Sequence, residues 1–248
     1  MPDVTGYRAK VGVIVPSTNT VVEHDLNRAP LPGVTFHAAR FFVEAPDLSS
    51  DDAFVVFLDK IRETIPLAVR DVMTCEPDHI LMGMSAETFW GGSEGSADFE
   101  ARVRAISGDL GITMGADACT AALARLGVSR IAAITPYQDI GDEQVHGYFT
   151  ECGFEVRRVH GLKCSSATSI ADVRPEVLRE ELRRLDGDDI DAIVQCGTNL
   201  SMVALADEAE RWLGKPVLAI NSVCLWHALR QMGIDDQFPG HGTMLREF

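Results

Sequence analysis

Two pairs of segments recur along this chain, in the same order and at nearly the same separation. Val13-Ile14-Val15-Pro16-Ser17 is echoed by Ala133-Ile134-Thr135-Pro136-Tyr137, each an apolar run closed by proline and a hydroxyl-bearing residue. Ile80-Leu81-Met82-Gly83-Met84-Ser85 is echoed by Ile193-Val194-Gln195-Cys196-Gly197-Thr198. Roughly 115–120 residues separate the partners of each pair, the pattern an internal duplication leaves behind. A chain built this way folds as two similar units, and its 248 residues are enough for both.

Short apolar runs alternate with longer helical patterns. The runs Val11–Val15, Val34–Ala38, His79–Met82, Ile131–Thr135, Glu155–Val159, Ile190–Val194 and Val217–Ile220 read as buried strands. Helices are expected over Asp51–Thr74, Asp117–Leu126, Asp139–Cys152, Pro175–Leu185, Leu200–Leu213 and Val223–Met232. Ser50-Asp51-Asp52 and Pro175 supply start signals, and Gly127, Gly153 and Gly233 supply left-handed stops. This alternation predicts an α/β protein with parallel sheets. With the duplication, it predicts two flavodoxin-like lobes related by a pseudo-twofold axis, their strand ends facing a shared cleft that holds the active site. The expected division is a first lobe over 1–116, a second over 117–222, and a C-terminal helix and tail, 223–248, returning to the first.

A net charge of −15 argues against nucleic acid, which requires a basic surface. No stretch approaches the roughly 18 apolar residues of a membrane span, and the N-terminus lacks a signal-peptide apolar core. The six cysteines (Cys75, Cys119, Cys152, Cys164, Cys196 and Cys224) contain no CxxC pair, which fits neither a disulfide framework nor a zinc site. His24, His146, His160 and His227 likewise show no metal-ligand spacing. The expected setting is the cytoplasm, with no metal or cofactor.

Four loops then meet in the cleft: Pro16–Asn19, Gly83–Ser85, Pro136–Tyr137 and Cys196–Thr198. Cys196 stands where a strand ends and the helix expected from Leu200 begins, so converging N–H groups and the helix dipole would favour an anion and lower the thiol pKa. Hydroxyls and free N–H donors around a carboxylate suit stabilisation of an enediolate, the dianion left when a carbon beside a carboxylate loses a proton or CO2.

Pro16-Ser17-Thr18-Asn19-Thr20, Thr135-Pro136-Tyr137, Cys196-Gly197-Thr198-Asn199, Gly214-Lys215-Pro216-Val217, Asn221 and Leu225-Trp226-His227-Ala228-Leu229 together resemble the aspartate/glutamate racemase superfamily. The resemblance is to its branch of arylmalonate decarboxylases and maleate cis–trans isomerases, and it runs through nearly the whole chain. It implies a cofactor-independent enzyme and assembly as a homo-oligomer. Racemases and maleate isomerases of the superfamily use one cysteine from each lobe; here the second matches Cys196 and the first falls on Gly83. A single thiol facing a glycine implies decarboxylation of a small 2-substituted malonate. One carboxylate would be held by Ser85, Tyr137, Thr198 and the N–H groups of Met84, Ser85, Gly197 and Thr198. The resemblance thus makes Cys196, the proton donor to one face of the carbanion, and Tyr137 the catalytic pair. Pro16, Ser17, Asn19, Gly83, Met84, Ser85, Gly197 and Thr198 become the substrate-binding set.

Several residues depart from that pattern. Met84 replaces a hydroxyl residue of the decarboxylases, while Asn19 matches the isomerase motif better. The asparagine that isomerases carry near Cys164–Thr168 is missing. Glu87 is a candidate replacement for the absent first-lobe acid, and Cys164 reads as a packing residue. The alternatives are therefore cis–trans isomerisation of maleate or a similar diacid, racemisation, and carboxylate binding without turnover.

Overall fold

The computed structural model describes residues 3–44 and 50–248. In chain order the first half holds β1 (Ala9–Pro16), α1 (Val22–Asn27), β2 (Val34–Phe41), α2 (Asp51–Met73), β3 (His79–Met82), α3 (Ala86–Phe89), α4 (Gly92–Ser107) and β4 (Gly111–Thr113). After α5 (Gly115–Leu126) come β5 (Arg130–Thr135), α6 (Asp139–Glu151), β6 (Glu155–Gly161), α7 (Pro175–Leu185), β7 (Ala192–Gln195), α8 (Val203–Leu213), β8 (Val217–Ala219), α9 (Ile220–Gln231) and α10 (Thr243–Glu247). The strands form two parallel four-stranded sheets, ordered β2-β1-β3-β4 and β6-β5-β7-β8. The order is identical in both, and the echoed segments occupy equivalent strands: β1 answers β5, and β3 answers β7. The chain is thus an α/β protein of two matching lobes.

The interiors of the central strands are apolar because helices cover both faces. Val11, Val13, Ile14 and Val15 of β1, and Ile193 and Val194 of β7, are fully buried. On α2 the buried positions Phe54, Leu58, Ile61, Ile65, Ala68, Val69 and Val72 follow the three-to-four spacing of one helix face. Ser50 caps that helix by accepting from the Ala53 N–H at 3.3 Å, as the Ser50-Asp51-Asp52 signal predicts. Beyond the second sheet the chain turns back: α9 packs on α5, α1 and β4. Its first residue, Ile220, continues directly from β8 rather than ending that strand.

One boundary differs in a way that bears on the chemistry. The helix expected from Leu200 begins at Val203, so residues 196–202 form a loop rather than a helix start. The polar groups of Thr198 and Asn199, which would otherwise cap a helix, are spent on the opposite lobe and on neighbouring loops.

Candidate active site

Every loop of the site leaves the C-terminal end of a strand. After β1, Asn19 Oδ1 accepts from the N–H groups of Val21 (2.9 Å) and Val22 (3.0 Å), capping α1, while its Nδ2 donates to Thr198 Oγ1 at 3.3 Å. After β3, Ser85 Oγ meets Tyr137 OH at 2.6 Å and accepts from the Thr198 N–H at 3.2 Å. After β5, the Tyr137 N–H donates to Thr135 Oγ1 at 3.0 Å, and that hydroxyl donates to Asp142 Oδ1 at 2.5 Å. After β7, the Thr198 hydroxyl donates to the Gly83 carbonyl at 3.2 Å. Asn221 Nδ2 steadies the same loop through Thr198 O (3.0 Å) and Asp25 Oδ2 (2.8 Å). Gly197 is required where the loops touch, since a Cβ there would sit 2.6 Å from Pro136 Cδ. A hydroxyl, a phenol and a backbone N–H, drawn from both lobes, therefore converge and satisfy one another.

These groups border a pocket that opens to solvent. Of the expected site residues, Pro16, Asn19, Met84, Ser85, Tyr137, Gly197 and Thr198 line it. Three others lie elsewhere. Ser17 is exposed and turns its hydroxyl to the Val43 N–H at 2.9 Å, tying β1 to the end of β2. Gly83 sits behind the lining against β1, where a Cβ would approach Ile14 O and Val22 Cγ1 to 3.1 Å each. Tight packing alone thus favours glycine at 83. Cys196 is fully buried one residue before the lining. Thr198 presents its N–H rather than its hydroxyl, which is already engaged.

Electrostatics correct the expectation for the thiol. Burial, and then the Asp142 carboxylate, push the Cys196 pKa up rather than down. With α8 starting at Val203, no helix terminus offsets that burial. Tyr137 is raised for the same reason, and a charge on Cys196 would raise it further, which places the two groups within each other's field. Asp142 is itself pushed up to about 6, chiefly by burial. Both the thiol and the phenol are therefore protonated at neutral pH.

Glu87 does not replace a first-lobe thiol. Its carboxylate is 1% exposed and points between α2 and α4, where Oε1 accepts from Arg62 Nε at 2.7 Å and Arg102 Nη2 at 3.1 Å. Phe89 packs inward against Tyr148 and Phe149, and Trp90 lies beside Phe54. Cys164, read from the sequence as a packing residue, stands on the pocket wall, as do Thr18, Gln138 and Asn199. A further wall went unseen in the sequence: Phe54, Phe57 and Ile61 of α2, with Phe41. Their helical spacing marks them as one face, but nothing local says that the face meets a cleft. Among the described residues, no cluster of three or more His, Cys, Asp or Glu side chains could hold a metal ion. No helix among them is long and apolar enough to cross a membrane.

The two-lobed α/β fold with its crevice of uncharged donors is that of an enzyme family, and comparison with known proteins places this chain within it. Residues 11–245 match the family model described as arylmalonate decarboxylase, and the chain belongs to that family. Curated relatives are the maleate isomerases of Nocardia farcinica, 26% identical over 96% of this chain and 96% of that protein, and of Alcaligenes faecalis, 24% identical over 95% and 96%. Among solved structures, a cysteine-to-serine mutant of the Nocardia farcinica maleate cis-trans isomerase with a covalently bound succinylcysteine intermediate superposes with a TM-score of 0.84. It is 26% identical and covers 96% of this chain and 98% of its own. Arylmalonate decarboxylase itself superposes at 0.73, with 23% identity and coverage of 95% and 98%, which establishes the shared fold.

These relatives overturn the expectation of malonate decarboxylation. Four curated maleate isomerases match at 24–26% identity along nearly the whole chain. The glycine at 83 suggested a lyase; a Cβ there would come to 3.1 Å of Ile14 O and Val22 Cγ1, so packing bears on that position alongside chemistry.

Proposed function

We propose that this protein is a cofactor-independent cis–trans isomerase of a short cis-enedioic acid of the maleate type, acting through Cys196. The observation that carries the reading is the meeting of Ser85 Oγ, Tyr137 OH and the Thr198 N–H on one pocket wall, with Thr198 two residues along the chain from that thiol. Bonded only to one another there, they are donors that a carboxylate can claim.

On this reading Cys196 enters the reaction as a thiol, consistent with its raised pKa. Binding opens the Ser85–Tyr137 contact, and the sulfur reaches an olefinic carbon. The Sγ–C bond forms while the thiol proton passes to a carboxylate oxygen of the diacid. The π pair moves onto the adjoining carboxylate, giving an enediolate held by Ser85, Tyr137 and the Thr198 N–H. The former double bond is now single and rotates. Collapse of the enediolate restores the double bond in the trans geometry and expels the sulfur, which recovers its proton. No atom is oxidised or reduced, and no co-reactant is consumed.

The test is direct: the protein is incubated with maleate while the loss of its olefinic resonance and the growth of that of fumarate are followed by proton NMR. Conversion that vanishes in Cys196→Ala supports the proposal. An unchanged maleate signal, or CO2 released from a substituted malonate instead, contradicts it.

A further inference from the structure

The loop carrying Cys196 lacks the helix start that would aim backbone N–H groups at an anion, since α8 begins only at Val203. Two buried side-chain amides stand beside it. Gln195, the last residue of β7 and 1% exposed, donates from Nε2 to Gly197 O at 2.7 Å and accepts at Oε1 from the Ile220 N–H at 3.3 Å. Asn221, in the first turn of α9, donates from Nδ2 to Thr198 O at 3.0 Å and to Asp25 Oδ2 at 2.8 Å. Neither amide can be turned end for end. Gln195 faces a carbonyl on one side and an N–H on the other, and Asn221 Nδ2 faces two acceptors.

The two carbonyls belong to successive peptides of the loop. A trans peptide is planar, so its C=O and N–H point opposite ways. Holding Gly197 O on Gln195 turns the Thr198 N–H to the other side, where it meets Ser85 Oγ at 3.2 Å. Holding Thr198 O on Asn221 does the same for the Asn199 N–H, which has no hydrogen-bond acceptor among the described residues. Gly197, Thr198 and Asn199 all line the pocket. The Leu200 N–H also reaches Gly197 O at 3.0 Å, but that bond closes a turn within the loop and moves with it. The two amides tie these carbonyls to the framework instead, to β7, to α9 and, through Asp25, to α1.

We propose that Gln195 and Asn221 are positioning residues that aim the Thr198 and Asn199 N–H groups at one substrate carboxylate, in place of the missing helix start. That the anion is a carboxylate rests on the isomerase reading; that the two N–H groups are aimed rests on the hydrogen bonds alone.

Amide NMR of the isotope-labelled full chain, titrated with succinate as a saturated and unreactive diacid, tests this without turnover. In the unaltered protein the Thr198 and Asn199 amide protons are expected to move downfield on binding. That of Leu200, already bonded within the turn, stays nearly still. Gln195→Met keeps the side-chain length and removes both polar ends. It is expected to bind succinate at least about tenfold more weakly, the scale of one hydrogen bond to a charged group, and to lose the Thr198 shift. Asn221→Leu is expected to lose the Asn199 shift instead. The comparison of the three amides in the unaltered protein stands even where a variant folds poorly. Unmoved Thr198 and Asn199 amides under excess succinate overturn the proposal, as does a folded Gln195→Met that keeps wild-type affinity and the Thr198 shift. Maleate turnover is followed in parallel. Turnover with unmoved amides refutes the positioning role and spares the isomerase reading. Amide shifts that the variants lose, with no turnover of maleate, refute the isomerase reading and spare the positioning role.

Discussion

Replacing Tyr137 with Phe removes one oxygen from the donor cluster and leaves the ring. The ring keeps its packing against Phe54, and the Tyr137 N–H keeps its bond to Thr135. The stability cost is set by Ser85 Oγ, which loses its 2.6 Å partner but retains the Thr198 N–H. One net hydrogen bond is worth about 0.5–1.5 kcal/mol, and removal of the buried phenol oxygen offsets part of that. The catalytic cost is larger, because the same hydroxyl would hold the charge developing on the enediolate. Loss of one such donor lowers kcat by about 100- to 1000-fold, or roughly 2.7–4 kcal/mol. Because Ser85 and Tyr137 act on each other, adding Ser85→Ala should cost less than the two single changes combined. The assay is kcat for cis–trans conversion at saturating diacid, beside urea unfolding of each variant. A Tyr137→Phe enzyme slowed less than about tenfold, at unchanged stability, would refute the placing of the phenol at the developing charge.

Other positions give independent checks. Gly197→Ala drives a Cβ to 2.6 Å from Pro136 Cδ and should destabilise the fold by about 1–3 kcal/mol in urea; an unchanged midpoint would mean that the Pro136 and Gly197 loops do not touch. Glu87→Gln should cost no more than about 1–2 kcal/mol, because its Arg partners are partly exposed, and should leave turnover within about threefold of wild type. Abolished turnover in a folded Glu87→Gln protein would restore that carboxylate to the chemistry. His79 lies buried against Thr113, whose hydroxyl also meets His227 Nδ1 at 3.0 Å; burial, then His227, lower its pKa from 6.5 to about 4. The neutral ring is thus favoured by folding, so its contribution is present above pH 6.5 and is lost as pH falls toward 4, by about 3 kcal/mol. The stability gap between wild type and His79→Gln, measured across that range, should close on acidification; a constant gap would contradict this.

Much of the fold was legible because parallel strands buried on both faces must be apolar throughout, as in Val11–Val15 and Ile131–Thr135. Helices with large apolar residues at regular spacing, such as α2, were equally plain. Five elements escaped: the short helices α1, α3 and α10, and, more tellingly, α4 and β4. The buried positions of α4 are Gly92, Ser96, Phe99, Val103 and Ser107, a regular helical face built mostly from small or polar residues, so no hydrophobic period appears. β4 spans only Gly111–Thr113 and owes its place to pairing with β3. At the site, the loops could be read because each follows a strand end. The acidity of Cys196 could not, since it depends on burial and on where α8 starts. The aromatic wall was hidden for a similar reason: Phe54, Phe57 and Ile61 look like any helix face until the cleft forms beside them.

The central claim is that the sulfur of Cys196 bonds to the substrate carbon. Rapid acid quench during turnover of maleate, followed by peptide mass mapping, addresses it most directly. The account predicts a succinyl adduct on the peptide containing Cys196, absent from Cys196→Ser. Sustained turnover with the adduct on Cys164, or undiminished turnover in Cys196→Ser, would contradict it.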